Sequence, residues 1–211
     1  MNRRQFAITS IGTALTSLAG PLWAQGGPPV EGTDFKRVAQ PVAVPDGKVD
    51  VVEFFGYWCP HCHAFEPALD AWVRKLPPQV AFRRMPISFN AAQEPMQRLY
   101  FALEALGLVD SLHRKVFAAL HVAHQRLDKD ADIAAWAQSA GADGVKIVDT
   151  MKSFSVATKV RQARQLAEAY KIEGVPTLGI QGRYMTSPSI AGTQERALAV
   201  ADALIAQSRK G

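Results

Sequence analysis

Short apolar runs rich in β-branched and aromatic residues recur along this chain and predict a small set of β-strands. The clearest run covers residues 49–55, in which only Asp50 and Glu53 are polar. A shorter first strand is expected within residues 35–44, where Pro41 limits its length. The remaining predicted strands cover residues 80–87, 177–180 and 183–186, and the turn sequence Gln181-Gly182 joins the last two.

Apolar residues spaced three and four positions apart predict helices in the rest of the chain. The first helix contains Pro67, which should kink it. The helix that ends near Lys171 is expected to use Gly174 as its C-terminal cap. So many successive helices between two strands do not fit a plain βαβ unit and predict an inserted helical domain. The predicted helices cover residues 61–75, 95–107, 112–120, 133–141, 145–151, 155–171 and 192–207.

The first 24 residues have the pattern of an export signal. Arg3 and Arg4 form its positive start, an apolar segment follows over residues 6–18, and Ala24 predicts a cleavage point. The segment is too short to span a membrane comfortably. The arginine pair also resembles a twin-arginine signal, although the incomplete motif favours ordinary Sec export. Either route leads out of the cytoplasm, where disulfides persist.

Length and composition narrow the class of protein. A chain of 211 residues is long for one small domain and short for two large ones. Hydrophobic residues make up 48% of it, which is enough for a substantial core. The net charge is +5, and the sequence has no long block of lysine or arginine. It therefore shows no basic segment of the kind that binds nucleic acid.

Both cysteines belong to one short motif, Cys59-Pro60-His61-Cys62, at a predicted strand-to-helix junction. A thiol at a helix N-terminus faces free backbone N–H groups and the positive end of the helix dipole, which both favour the thiolate. Because the thiolate is the reactive form, Cys59 is the predicted nucleophile. Cys62, one turn later, is placed to close a disulfide with it. An imidazole at His61 would stabilise the thiolate further, and Pro60 completes the set of catalytic candidates from this motif.

Three interpretations of this Cys-x-x-Cys pair stay open. A redox dithiol is favoured, because a preceding strand and a following helix are its expected context. Structural zinc usually takes four ligands, often with a second Cys/His pair, and the chain has no second pair of cysteines. A purely structural disulfide would close so short a loop that it removes little chain entropy.

The residues around the cysteines resemble the active-site region of the DsbA-like family, bacterial periplasmic thiol oxidases of the thioredoxin superfamily. The matching segments are Glu53-Phe54-Phe55, Cys59-Pro60-His61-Cys62 and Phe65-Glu66-Pro67. Downstream, Gly174-Val175-Pro176-Thr177 resembles the cis-proline loop of the family, and residues 178–184 resemble its closing hairpin. The resemblance implies an α/β fold in which an all-helical domain is inserted into a thioredoxin fold.

The resemblance also implies roles for residues outside the motif. It places Glu53 under the active site as a proton acceptor for Cys62, whereas the alternative is a sheet-edge position with the carboxylate in water. Glu66 matches another acidic position of the family. A cis bond is expected between Val175 and Pro176, in a loop whose backbone at Val175 binds an extended peptide as an added strand.

The other histidines receive no catalytic role. His63 follows the motif directly, and nothing in the sequence assigns it a function. His113, His121 and His124 are expected on the inserted helices. His121 and His124 are close enough in sequence to share a metal ion, but a plain exposed position is the favoured interpretation.

We expect a periplasmic thiol:disulfide oxidoreductase that donates its Cys59–Cys62 disulfide to newly exported proteins. The resemblance implies reoxidation by a DsbB-like membrane quinone reductase. We expect a monomer without metal, organic cofactor or nucleic-acid partner. A reductase or isomerase of the same fold is the alternative, and a metal-binding module is a less favoured one.

The expected division of the chain is a signal peptide at 1–24, a first thioredoxin-like part at 25–88, a helical insertion at 89–152, and a connecting helix with the second thioredoxin-like part at 153–211.

Overall fold

The computed structural model describes residues 27–209, so the predicted export signal at 1–24 lies outside the described chain. Five strands within this range form one mixed sheet: β1 (Lys36–Arg37), β2 (Val49–Phe55), β3 (Val80–Pro86), β4 (Thr177–Ile180) and β5 (Tyr184–Thr186). Their spatial order is β1-β5-β4-β2-β3. The β2–β3 pair is parallel, and the other neighbours are antiparallel.

Strand β2 is buried at all seven positions, including the polar residues Asp50 and Glu53. A nearly continuous apolar run is typical of a strand that is covered on both faces. In the register of the sheet, Glu53 lies opposite Arg84 of β3 on one side and Leu178 of β4 on the other. Glu53 therefore occupies an interior strand, and the alternative of a solvated sheet edge is wrong.

Eight α-helices accompany the sheet within residues 27–209, and the seven predicted ones are found within a few residues of their expected bounds. The extra helix, which has four residues, begins at Pro188 and is capped by the Ser187 side chain, which accepts from the N–H of Ile190. The helices are α1 (Pro60–Val73), α2 (Glu94–Ala105), α3 (Val109–His121), α4 (Asp130–Ser139), α5 (Gly144–Met151), α6 (Phe154–Tyr170), α7 (Pro188–Ala191) and α8 (Gln194–Ser208).

The predicted cap of the long helix α6 is wrong. The helix ends at Tyr170, and the residue that caps it is Lys171, which takes the left-handed conformation with φ of 52°. The N–H of Lys171 donates to the carbonyls of Ala167 and Glu168. That left-handed residue closes the last turn three positions before Gly174, so the glycine is left in the following loop without a capping role.

The β-turn predicted at Gln181-Gly182 is present, since the N–H of Arg183 donates to the Ile180 carbonyl over 3.0 Å. Arg183 belongs to the loop and not to β5, because Ile180 pairs with Tyr184. Gln181 and Gly182 both have positive φ, at 50° and 64°, as the favoured two-residue turn requires. A Cβ atom at position 182 would collide with the carbonyl oxygen of Val42, so the glycine also permits a close backbone approach. This turn fixes the register in which β4 pairs with β5.

The buried apolar side chains form three clusters around the sheet. One joins α2 through α6 and includes Phe55, Tyr57, Cys59 and Cys62. A second joins the body of α1 to α8, with Phe65, Leu69 and Leu204 among its members. A third packs Tyr170 of α6 on Val52 and Phe54, which alternate with Val51 and Phe55 and so lie on the opposite face of β2. The cysteine motif therefore lies where the helical insertion meets the thioredoxin-like part. None of the described helices is long and apolar enough to cross a bilayer.

Candidate active site

The end of β2 and the start of α1 together place the cysteine motif. Strand β2 ends at Phe55, and Cys59 is the N-cap residue of α1, with an extended backbone. The N–H of Cys59 donates to the carbonyl of Gly56 over 3.0 Å, which closes the turn between strand and helix. Pro60 then occupies the first helical position, where its missing N–H costs nothing. The predicted strand-to-helix placement of Cys59 is confirmed.

Cys59 has the environment of a stabilised thiolate. The pKa of Cys59 is lowered to about 6, and hydrogen bonding from the Cys62 thiol is the largest cause. The N–H groups of Cys62 and His61 and the charge of His61 act in the same direction, while burial opposes them. Cys59 is nevertheless only 4% exposed, less than a residue at an open helix start would be. The cause is the neighbouring loop, because Cys59 Sγ lies 3.4 Å from the carbonyl oxygen of Val175, to which the sulfur donates only while it is protonated.

Cys62 lies one turn deeper and has the opposite electrostatic environment. It is 1% exposed, and burial raises the pKa of its thiol, as do the Cys59 sulfur and the charge of Glu53. The two sulfurs therefore differ in the direction of their pKa shifts as well as in depth. At neutral pH the negative charge of the reduced pair belongs on Cys59.

Glu53 is a fully buried carboxyl group beneath the motif. The pKa of Glu53 is raised to about 8, chiefly by burial and next by the nearby charge of Glu66, while Arg84 acts in the opposite direction. Arg84 Nε lies 3.1 Å from Glu53 Oε2, without the alignment of a hydrogen bond. A carboxyl group that titrates in this range is suited to exchange a proton near neutral pH. Its action on Cys62 stays a prediction.

Arg84 organises a cluster of three acidic side chains below the cysteines. Its guanidinium lies 3.0 Å from Glu66 and 2.8 Å from Asp70, in addition to its contact with Glu53. Burial alone would raise the pKa of Glu66, but the neighbouring His113 and Arg84 lower it. Sequence reasoning missed Arg84. The available clue was an arginine in β3, an otherwise largely apolar strand next to the strand that carries Glu53.

The cis-proline loop lies against Cys59, as the sequence predicts. The Val175–Pro176 peptide bond is cis, and the Val175 carbonyl accepts the hydrogen bond from Cys59 Sγ. Thr177 Oγ1 donates to the Gly174 carbonyl over 2.8 Å and so closes the loop onto itself. Val175 is partly buried and Pro176 is buried. Peptide binding by this loop stays a prediction.

Two histidines of the helical insertion reach the site, and for His121 this contradicts the expected exposed position. His113 is buried; its Nδ1 lies 2.8 Å from the Tyr57 hydroxyl and its Nε2 lies 3.1 Å from Glu66 Oε1. His121 is partly buried, and its Nε2 donates to the backbone carbonyl of Tyr57 over 2.7 Å. The side of α3 that bears them packs against α1, so these positions are drawn into the interface. His124 is exposed, as expected, but it follows the end of α3.

No three His, Cys, Asp or Glu side chains within residues 27–209 form a group suited to a metal ion. Both cysteines in this range are free thiols, so the geometry is that of the reduced pair. A Cys-x-x-Cys pair at the N-terminus of a helix, beside a cis-proline loop and above a buried carboxyl group, defines a thioredoxin-fold protein with a redox-active dithiol.

The comparisons with known proteins narrow this class to one family. The model of the DSBA-like thioredoxin domain matches residues 83–198, and the thioredoxin model matches residues 32–97. The chain belongs to the DsbA-like thioredoxin family and is a thiol:disulfide oxidoreductase. It is 48% identical to the thiol:disulfide interchange protein DsbA of Bordetella parapertussis over 78% of each chain. It is also 37% identical to that of Burkholderia cepacia over 93% of this chain and 95% of the other.

Solved structures agree with this assignment. The crystal structure of Pseudomonas aeruginosa DsbA superposes with a TM-score of 0.83 at 36% identity, covering 86% of this chain and 95% of that one. The oxidoreductase DsbA of Xylella fastidiosa gives a TM-score of 0.80 at 30% identity, covering 87% and 99%. The predicted thioredoxin fold with an inserted helical domain is confirmed.

Proposed function

We propose that this protein is a periplasmic thiol oxidase that donates a Cys59–Cys62 disulfide to newly exported proteins. The observation that carries the proposal is the contrast between the two sulfurs, since the pKa of Cys59 is lowered and that of Cys62 is raised. A stable Cys59 thiolate stabilises the reduced protein and so makes its disulfide a stronger oxidant. The name of the related proteins, thiol:disulfide interchange protein, supports the same reaction class.

The reaction consists of two exchange steps. A substrate thiolate attacks Cys59 Sγ, the Cys59–Cys62 bond breaks, and the bonding electrons go to the Cys62 sulfur. Because burial raises the pKa of the Cys62 thiol, that sulfur takes up a proton, and Glu53 is the proposed group that exchanges it. A second substrate thiolate then attacks the substrate sulfur of the mixed disulfide. Cys59 leaves readily, since its low pKa makes its thiolate a good leaving group.

The cis-proline loop supports the proposed substrate site. An extended peptide that pairs with the Val175 backbone would bring its cysteine next to Cys59, because the Val175 carbonyl already lies 3.4 Å from that sulfur. His61 is exposed at the start of α1, where it contributes to the stability of the thiolate. Pro60 is proposed to set the helix start at which the thiolate forms.

The partners, location and domain division follow from the same proposal. Reduced exported proteins are the substrates, and a DsbB-like membrane quinone reductase restores the disulfide. The protein acts as a monomer in the periplasm after removal of residues 1–24, and no metal or organic cofactor takes part. Residues 25–88 and 153–211 form the thioredoxin-like part, and residues 89–152 form the helical insertion. Cell fractionation of the full chain, with detection in the periplasmic fraction, tests the location.

The decisive measurement is the reduction potential of the purified protein, equilibrated with glutathione buffers and read by thiol trapping. We expect a potential well above that of thioredoxin, which is about −270 mV. We also expect a reduced two-cysteine peptide to become oxidised at the expense of the protein disulfide. A potential near that of thioredoxin would contradict the oxidase proposal and favour a reductase. An anaerobic zinc titration of the reduced protein, monitored by the reactivity of its thiols, tests the remaining alternative. Tight stoichiometric zinc binding would favour a metal-binding module.

A further inference from the structure

Helix α3 of the insertion contacts both flanks of the cysteine motif through one residue. His121 Nε2 lies 2.7 Å from the carbonyl oxygen of Tyr57, two positions before Cys59. A carbonyl oxygen only accepts hydrogen bonds, so this nitrogen carries the hydrogen. The same imidazole stacks on His63, one position after Cys62, with the ring centroids 5.2 Å apart and the planes at 14°. His121 therefore lies against the residues on both sides of the redox pair.

Tyr57 is held at its other end as well. Its side chain is 1% exposed, and its hydroxyl lies 2.8 Å from Nδ1 of His113, two turns before His121 on the same helix. The Tyr57 ring packs edge-on to Phe117, which lies between the two histidines in sequence, at a centroid distance of 5.0 Å. Side chains from one face of α3 thus fix the hydroxyl, the ring and the backbone carbonyl of Tyr57.

The position of Tyr57 bears on the thiolate through the turn that precedes α1. Cys59 N donates to the Gly56 carbonyl over 3.0 Å, so Tyr57 lies inside the turn that delivers Cys59 to the N-cap. The N–H groups of His61 and Cys62 stabilise the Cys59 thiolate only while this turn keeps their alignment. A hydrogen bond to a thiolate weakens as its donor angle degrades. Movement of Tyr57 would therefore change the redox pair without contacting either sulfur.

We propose that His121 is a positioning residue for the redox pair, acting with His113 as a two-point clamp on Tyr57. The clamp places control of the Cys59 thiolate partly in the helical insertion. This inference rests on the proposed oxidase function, in which a stable Cys59 thiolate makes the disulfide oxidising. It assigns a role in the thiol chemistry to two histidines that contact neither sulfur.

The test compares two substitutions at His121 with the same change at an exposed histidine. Asparagine is too short to reach the Tyr57 carbonyl, whereas a glutamine amide extends far enough to donate in place of Nε2. We expect His121→Asn to shift the equilibrium constant with glutathione toward the oxidised protein roughly threefold to tenfold, or about 15 to 30 mV. The thiolate absorbance of Cys59 should titrate at a higher pH. His121→Gln should recover most of both shifts.

The control is His124→Asn, because His124 is exposed and lies just beyond α3. It should leave the potential and the Cys59 titration at the values of the parent. A second variant, Tyr57→Phe, removes the hydroxyl held by His113 and keeps the ring. It should move both quantities in the same direction as His121→Asn, by a smaller factor.

Two results would overturn the clamp. One is a His121→Asn protein with the potential and Cys59 titration of the parent, even if its melting temperature falls. The other is a His121→Gln protein as impaired as His121→Asn, which would exclude the hydrogen bond as the cause. These outcomes are separate from failure of the proposed function, which is judged by the absolute potential of the parent and not by differences between variants.

Discussion

Cys59 and Cys62 lie one helical turn apart on α1, yet the regions around them have opposite effects on a thiol. The region around Cys59 supplies the hydrogen bond from the Cys62 thiol, then backbone N–H groups and the charge of His61, and the pKa of Cys59 falls to about 6. The region around Cys62 supplies burial, the neighbouring Cys59 sulfur and, as a smaller contribution, the charge of Glu53, and the pKa of Cys62 rises. The helix dipole contributes near both residues, so depth and the direction of the hydrogen bond between the two sulfurs decide the difference between them.

This comparison shows how one helix turn can separate the two tasks of the redox pair. A sulfur that stays charged is a good leaving group and a stable product, whereas a sulfur that stays protonated does not compete for the substrate. Polar groups beneath the pair add to this separation, because the charge of Glu53 raises the pKa of Cys62, while Glu66 and Arg84 shift the pKa of Glu53 itself. Glu53, Glu66 and Arg84 come from two strands and from the second turn of α1.

The largest expected effect is on activity, from exchanging each cysteine in turn for serine. Cys59→Ser should lose oxidase activity completely, and it should react slowly with a small aromatic disulfide because its remaining thiol is buried and protonated. Cys62→Ser should react quickly at Cys59, and a reduced cysteine peptide should then displace the aromatic thiol and become linked to Cys59. Non-reducing mass spectrometry distinguishes these products. Equal reaction rates for the two variants would show that the assignment of nucleophile and resolving cysteine is wrong.

The next largest effect concerns the region below Cys62 and is expected in Arg84→Met. Removing the guanidinium leaves the buried Glu53 and Glu66 without their shared cation, which typically costs ~3–5 kcal/mol of unfolding free energy. Urea unfolding of the reduced protein at pH 7 measures the loss. Arg161→Met is the matched control, because Arg161 is exposed on α6 and its removal should change stability by less than ~0.5 kcal/mol.

A double variant makes this prediction more specific. Adding Glu53→Gln to Arg84→Met removes the carboxyl group that has lost its nearby cation. In urea unfolding at pH 9, where Glu53 of the parent is ionised, part of the lost stability should therefore return. If the double variant is as unstable as the sum of the single changes, Arg84 does not act through its charge on Glu53, and simple loss of packing is the better explanation.

The two regions also differ in how far the sequence predicts them. The strand, the turn and the start of α1 are local, so the cysteine motif and its flanking pattern predict the surroundings of Cys59. The surroundings of Cys62 and the contact of α3 with the turn before Cys59 depend on pairings between distant segments. Glu53 meets Arg84 through the β2–β3 register, and His121 meets Tyr57 across 64 positions. No local pattern shows which face of α3 turns toward the cysteines, and for this reason His121 was expected at the surface and the burial of His113 was not predicted.

Glu53→Gln alone is expected to change the pH dependence of stability. The pKa of Glu53 is raised from an ordinary value near 4.5 to about 8, so between these values the folded protein binds a proton that the unfolded chain releases. The contribution of Glu53 to the stability of the reduced parent should therefore fall as pH rises through this window and level off above about 8. The lowered pKa of Cys59 acts in the opposite direction, but it does so in the parent and the variant alike. The glutamine variant lacks this contribution, and its stability relative to the parent should rise with pH.

Urea unfolding of the reduced proteins at pH 5, 6.5 and 8 measures that difference. Glu168→Gln is the matched control, because Glu168 is exposed on α6 and the same change there should leave the pH profile of the parent intact. Parallel profiles for Glu53→Gln and the parent would mean that Glu53 is already ionised at pH 5, and the proton exchange proposed for it would fail.

The smallest effect is expected on the exposed side of the motif, from His61→Ser. The charge of His61 lowers the pKa of Cys59, but less than the Cys62 thiol and the backbone N–H groups do. His61 is also exposed, so solvent screens its charge. The thiolate absorbance of Cys59 should therefore titrate higher by less than about one pKa unit, which corresponds to less than about 1.4 kcal/mol between the two protonation states. His124→Ser is the control and should not move the titration. An unchanged titration in His61→Ser would leave the Cys59 thiolate dependent on the Cys62 thiol and the helix start alone, and the difference between the two sulfurs would then come entirely from α1 and the groups beneath it.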